Sequence, residues 1–152
     1  MTDYESLIKE AQSLISGVNH LYSNLANLSA LINGALSDVN WVGFYLLEGD
    51  KLVLGPFQGK PACIEIPVGR GVCGTSVEKD ETMVVRDVHE FKGHIACDSE
   101  SNSEIVVPIH HNNKVVMVLD IDSTKIARFT EYDKTNLESL VKMIEIELKD
   151  LL

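Results

Sequence analysis

The residues able to do chemistry concentrate where a polar, cysteine-bearing stretch, Gly93 to Ser103, runs into the β-branched run Glu104 to Ile109. Loops placed by a rigid scaffold are where reactive groups gather. Cys97, between His94 and Asp98, is the candidate working thiol. A thiol in such a loop can act as a nucleophile, whereas most free cysteines are buried small hydrophobes. Asp98, Glu100 and Glu104 would raise its pKa, so its thiolate must come from the substrate, a helix end or His94. Cys63, in the loop-like Lys60-Pro61-Ala62-Cys63, is placed to act as a resolving thiol, with its distance from Cys97 left open. Cys73 stands between Gly71 and Gly74 at the start of a short helix. There the helix dipole would lower its pKa, and the plainer reading is a small residue packed beside two glycines.

Acids form the second group. Asp120 and Asp122 share one face of a strand by its period of two, at the end of the apolar run Val115 to Leu119. Glu104 begins a neighbouring strand. Three such carboxyls can hold an ammonium group, and one kept neutral by burial and like charge can donate a proton. Trp41 and Tyr45, four apart, project from one strand face, and ordinary core accounts for them equally well. His89, His94 and Cys97 with Cys73 could surround zinc, but their spacing matches no paired-cysteine knuckle, so no metal or cofactor is expected. Gly69 to Gly74 lacks the spacing and the lysine of a phosphate loop, which argues against nucleotide binding.

The elements that must position these groups follow from periodicity. Leu7, Ile8, Ala11, Leu14 and Ile15 predict a helix over residues 4–15 with Asp3 as N-cap. A second helix is predicted over 20–36, with Asn19 as N-cap and Gly34 fraying its end. The period then changes. Strands are expected over 40–47 and 52–57 about the turn Glu48 to Lys51, over 63–66, and over 83–85. A short helix is expected over 72–79. A long loop from Asp87 to Ser103 precedes a hairpin of strands 104–110 and 115–121 about His111 to Lys114. Loops of that length are usually functional. Thr130 would cap a last helix reaching about Leu151. The order implies an α+β fold with a central, mostly antiparallel sheet. Its N- and C-terminal helices would pack on one face, with the short helix and long loop over the other.

At 152 residues the chain suits a single domain spanning 1–152. Its net charge of −10 disfavours nucleic acid and anionic membrane as partners. No apolar run approaches the roughly 18 residues of a membrane span, and no export signal is visible at Met1 to Glu5. A reducing, cytoplasmic location is therefore expected, where cysteines are seldom structural disulfides.

Together these pieces closely resemble the free methionine-(R)-sulfoxide reductases, enzymes built as stand-alone GAF domains. The carriers are Asn40-Trp41-Val42-Gly43-Phe44-Tyr45, Gly55 to Cys63, Gly69 to Thr75, Asp87-Val88-His89, Gly93 to Asp98, Ser101 to Pro108 and Leu119 to Ser123. The resemblance runs through nearly the whole chain. It implies that Cys97 is the catalytic thiol, with Cys63 forming a disulfide with it. Glu104, Asp120 and Asp122 would contact substrate, and Trp41 and Tyr45 would take its methyl group. Cys73 would border the same pocket. Free methionine (R)-sulfoxide is then the expected substrate and thioredoxin the reductant, with a homodimer as a further expectation. Lys92 before Gly93, where proline is expected, and Glu65, where a basic residue is usual, depart from the pattern. The opposing classes are a GAF-type sensing module without turnover and a structural domain dimerising through its terminal helices.

Overall fold

A computed structural model describes residues 1–93 and 100–152. Cys97, with His94 and Asp98, lies outside the described residues. Helices α1 (Tyr4–Ile15) and α2 (Leu21–Ala35) lead into strands β1 (Trp41–Glu48), β2 (Lys51–Gln58) and β3 (Glu65–Pro67). Helix α3 (Gly71–Lys79), strands β4 (Met83–Val85), β5 (Ser103–His111) and β6 (Lys114–Ser123), and helix α4 (Glu131–Glu147) follow. The six strands form one sheet in the order β3-β2-β1-β6-β5-β4, and every neighbouring pair is antiparallel.

Both faces of this sheet are covered, which is why its central strands read as unbroken apolar runs. Val42, Phe44, Leu119, Ile121, Ile105 and Val107 point to one side, into a core shared with Tyr4, Leu7, Ala11 and Ile15 of α1, Leu25, Leu28 and Ile32 of α2, and Leu137, Leu140 and Ile144 of α4. Alternation sends Trp41, Tyr45, Val106 and Val118 to the other side, where they meet Val72 and Cys73 of α3 and Val88 from the loop after β4. The larger helical core anchors the strands. The smaller core leaves room for polar groups.

Local rules set most boundaries. Asp3 accepts from the Ser6 backbone N–H at 3.1 Å, and Thr130 forms a reciprocal capping box with Asp133. The β5–β6 hairpin turns on Asn112 and Asn113, both at positive φ (52° and 63°), the pairing a two-residue turn demands. Some expectations are corrected. Asn19 does not cap α2: His20 holds that position without a side-chain bond, and the Asn24 amide instead donates to Val18 O at 2.9 Å. Gly34 is the last residue but one of α2. The strand expected over 63–66 is displaced to Glu65–Pro67, where Leu52 faces Ile66 across the ladder. Its proline is tolerated because β3 is an edge. α4 ends at Glu147, and Leu148 to Leu151 close as a turn. The loop after β4 is not featureless: Asp87 caps a short 3-10 turn, Val88–Glu90, that buries Val88.

Candidate functional site

The register of β1, β6 and β5 sets rows of side chains on the α3 face. Trp41, Asp122 and Glu104 form one row, since Trp41 faces Asp122 and Asp122 faces Glu104. Gly43, Asp120 and Val106 form the next, and Tyr45 faces Val118 in the one after. The period of two that placed Asp120 and Asp122 together therefore also delivers Glu104 beside them. Glu104 and Asp120 are 7% and 5% exposed, so three carboxyls meet with little water between the two inner ones.

Burial forces these groups to share protons. Desolvation, then the charges of Asp120 and Asp122, push the Glu104 carboxyl well above its usual range, and it hydrogen-bonds to both aspartates. Glu104 is thereby pushed toward its protonated form. Asp120 is raised by desolvation too, offset by hydrogen bonds from Glu104 and Cys73. Its Oδ1 is buried and makes no hydrogen bond among the described residues. A buried acceptor left unpaired carries a desolvation penalty of about 1–3 kcal/mol, so this atom can accept from a bound donor.

Cys73 supplies the roof. Its Sγ lies with one oxygen each of Glu104 and Asp120 in a group whose members are all within 4.8 Å of one another. Of the two readings of Cys73, the plainer one of a small packed residue fits: burial, then Asp120, Glu104 and Asp122, raise the thiol well above its ordinary value. Cys73 is a buried, protonated thiol.

An aromatic wall flanks the acids. Trp41 stacks between Tyr45 (5.9 Å between centroids) and Phe57 of β2 (5.1 Å). Its Nε1–H donates to Lys60 O at 3.1 Å, and Tyr45 Oη–H donates to Cys63 O at 2.9 Å. The wall thus fixes the backbone of the loop carrying Cys63, which is disulfide-bonded. Lys60 also pairs with Glu100 at 2.9 Å, joining this loop to the stretch before β5. The phenol of Tyr45 is raised far above its ordinary value, first by burial and then by Asp120. Two glycines permit the stack: a Cβ on Gly43 would sit 2.4 Å from Phe57 Cβ and 2.7 Å from the Trp41 ring, and one on Gly59 (φ 140°) 2.6 Å from Trp41. Phe57 and Gly43 escaped the sequence reading as site residues. The signal available was the glycine opposite Asp120 in an otherwise bulky strand.

Small polar residues fix the strand ends. The Asn40 amide donates to Ser101 Oγ at 3.1 Å, and Asn102 N donates to Ser123 O at 2.7 Å, so the stretch entering β5 is tied to the end of β6. Gly71 N donates to Gly93 O at 3.1 Å, tying the start of α3 to the residues that lead to Cys97. Of the histidines considered for zinc, His89 pairs with Asp87 at 3.0 Å on the surface, and His94 is outside the described residues.

The GAF domain matches residues 25–148. The chain is 54% identical to the free methionine-R-sulfoxide reductase of Escherichia coli, over 93% of this chain and 86% of that one. This chain belongs to the free methionine-R-sulfoxide reductases. The Saccharomyces cerevisiae enzyme of that name is 45% identical, across 92% of this chain and 82% of its own. The fRMsr of Staphylococcus aureus, solved in complex with substrate, superposes with a TM-score of 0.93 at 55% identity and covers 97% of each chain. Membership makes this α+β chain an oxidoreductase on a GAF scaffold, as the motifs implied.

Proposed function

We propose that this protein reduces free L-methionine (R)-S-oxide to methionine, with its acid trio as the chemical centre. The observation that carries the reading is a buried carboxyl pushed toward its protonated form, Glu104, beside two aspartates and an aromatic wall, with Asp120 Oδ1 unpaired among the described residues. The relatives named as free methionine-R-sulfoxide reductases support it. In this reading the substrate ammonium donates to Asp120, and the S-methyl group lies against Trp41 and Tyr45. Glu104, with Asp122 as its proton partner, donates to the sulfoxide oxygen and makes the sulfur electrophilic.

Cys97 is the attacking thiol of this reading. Its sulfur takes the oxygen, methionine leaves with a two-electron gain, and Cys97 becomes a sulfenic acid. Cys63 condenses with it, releasing water and forming a disulfide, and an external dithiol protein of the thioredoxin type reduces that bond. Cys73 lines the site and does not exchange: raised and buried, it has little thiolate to offer.

Incubation with each epimer of methionine sulfoxide and a dithiol, with quantitation of methionine, tests the activity. Conversion of the (R) epimer is expected, and no methionine from either epimer would overturn the reading. For the thiols, Cys63→Ser should release about one methionine per chain and then stall with thioredoxin, since sulfenic acid formation needs only the attacking thiol. Cys97→Ser should release none. Steady thioredoxin-dependent turnover in Cys63→Ser would remove that cysteine from recycling.

A further inference from the structure

The three atoms that crowd together above the sheet are one sulfur and two carboxylate oxygens, from Cys73, Glu104 and Asp120. Asp120 is 5% exposed, and its buried Oδ1 has no partner among the described residues. We propose that this trio is a binding site for a thiophilic divalent cation, zinc or cadmium, and that the ion shuts the pocket to substrate. The donors arrive from three elements whose spacing is set independently: the first turn of α3, the start of β5 and the end of β6. Zinc takes thiolate sulfur at about 2.3 Å and carboxylate oxygen at about 2.0–2.2 Å, so donors around a tetrahedral ion lie about 3.4–3.6 Å apart. Side-chain shifts of about 1 Å close the present spread, with the ladder of β5 and β6 unmoved. Asp122 lies opposite Glu104 across that ladder.

The donor chemistry selects the ion. Magnesium and calcium want six or more oxygen ligands, and a buried thiol offers them nothing. Zinc and cadmium accept a mixed sulfur and oxygen set. On binding, the ion replaces the protons on Cys73 Sγ and Glu104, with no change of oxidation state. A chain of net charge −10 draws divalent cations toward it. The metal site stands on geometry alone. Its competition with substrate rests on the reading that the substrate ammonium meets Asp120.

The test uses the full chain carrying Cys63→Ser and Cys97→Ser, which leaves Cys73 as its one thiol and cannot turn over. Cadmium is titrated while the thiolate-to-cadmium charge-transfer absorption is followed in the ultraviolet. One ion per chain is expected, with magnesium silent. The band should vanish on adding Cys73→Ser, and Asp120→Asn should weaken cadmium by at least about tenfold. Methionine (R)-sulfoxide should then displace the ion, whereas glycine, an equal chelator without the side chain, should not. No band at saturating cadmium, or one that survives Cys73→Ser, overturns the site. A normal band that methionine sulfoxide leaves untouched overturns the competition and, with it, the assignment of Asp120 to the substrate.

Discussion

Replacing Glu104 by glutamine separates proton donation from architecture. Glu104 hydrogen-bonds to both Asp120 and Asp122 and holds the proton between them because burial and their charges raise it. A glutamine amide keeps an N–H for one aspartate, so the pocket stays assembled, but it has no proton to transfer. Loss of a positioned general acid lowers rates by about 10²–10⁴. The lower bound corresponds to about 2.7 kcal/mol of lost transition-state stabilisation. The assay is a single turnover by rapid quench, counting methionine against time, beside calorimetric binding of methionine to the same variant. Glu104→Gln should slow release by at least about 10²-fold and leave methionine binding near wild type.

The pH profile sharpens this. The donor form of Glu104 is full below its raised pKa and disappears as pH climbs through it. The ratio of wild-type to Glu104→Gln rates should therefore fall with rising pH, whatever the thiol contributes to both. Stability follows the same sign. A carboxyl whose folded pKa lies above its unfolded value, about 4.3 for glutamate, stabilises fully below that value and loses the contribution as pH rises through the folded one. Wild type should lose stability relative to Glu104→Gln over that climb. A rate ratio near one, or a ratio flat with pH, would refute Glu104 as the donor.

Free methionine (R)-sulfoxide should be reduced at least about 10²-fold faster, by kcat/KM, than its N-acetyl amide, because a blocked amine leaves Asp120 Oδ1 buried without a charge partner; parallel kinetics on both compounds decide this. Gly43→Ala should destabilise by about 1–3 kcal/mol, since its methyl would lie 2.4 Å from Phe57 Cβ against a stacked ring. Gly34→Ala, one residue short of the end of α2 with nothing within 4 Å, should stabilise by about 0.4–1 kcal/mol, and urea unfolding of both measures the contrast. His110 bonds Asp80 through Nε2 at 2.5 Å and Glu145 through Nδ1 at 3.0 Å. Burial pulls its pKa down, and those two bonds and charges more than reverse this. Its stabilisation should be full below about pH 6.5 and fade as pH rises through the raised value, seen as a shrinking gap between wild type and His110→Asn in thermal unfolding across pH.

The change of period after Leu36, the two hairpins, and the caps Asp3 and Thr130 were legible because each is a local rule acting over a few residues. The shared face of Asp120 and Asp122 was legible for the same reason. What lay beyond the sequence was the closing of long intervals. Cys73 meets Asp120 only once α3 folds over the sheet, and no spacing rule links them. A helix start is a local signal that would lower its pKa, while burial among three acids is a tertiary one that outweighs it. Phe57 was likewise read as strand alone, although register against Gly43 is what brings it onto Trp41. The strand expected at Cys63 failed because that backbone is engaged elsewhere, its carbonyl taken by Tyr45.

That last bond explains how a reactive loop can rest on a rigid frame. Trp41 and Tyr45 are each 2% exposed, and each spends its single donor on the loop carrying Cys63, not on the acids beside them. An indole or phenol turned toward Asp120 would satisfy its Oδ1. With both donors committed to carbonyls at Lys60 and Cys63, the wall presents ring faces to the pocket, and the acids keep one another's protons. The apolar side suits a methyl group and the acidic side an ammonium. Separation of the two follows from which carbonyls the aromatic residues reach, a choice made by Gly59, whose φ of 140° turns the chain back over Trp41.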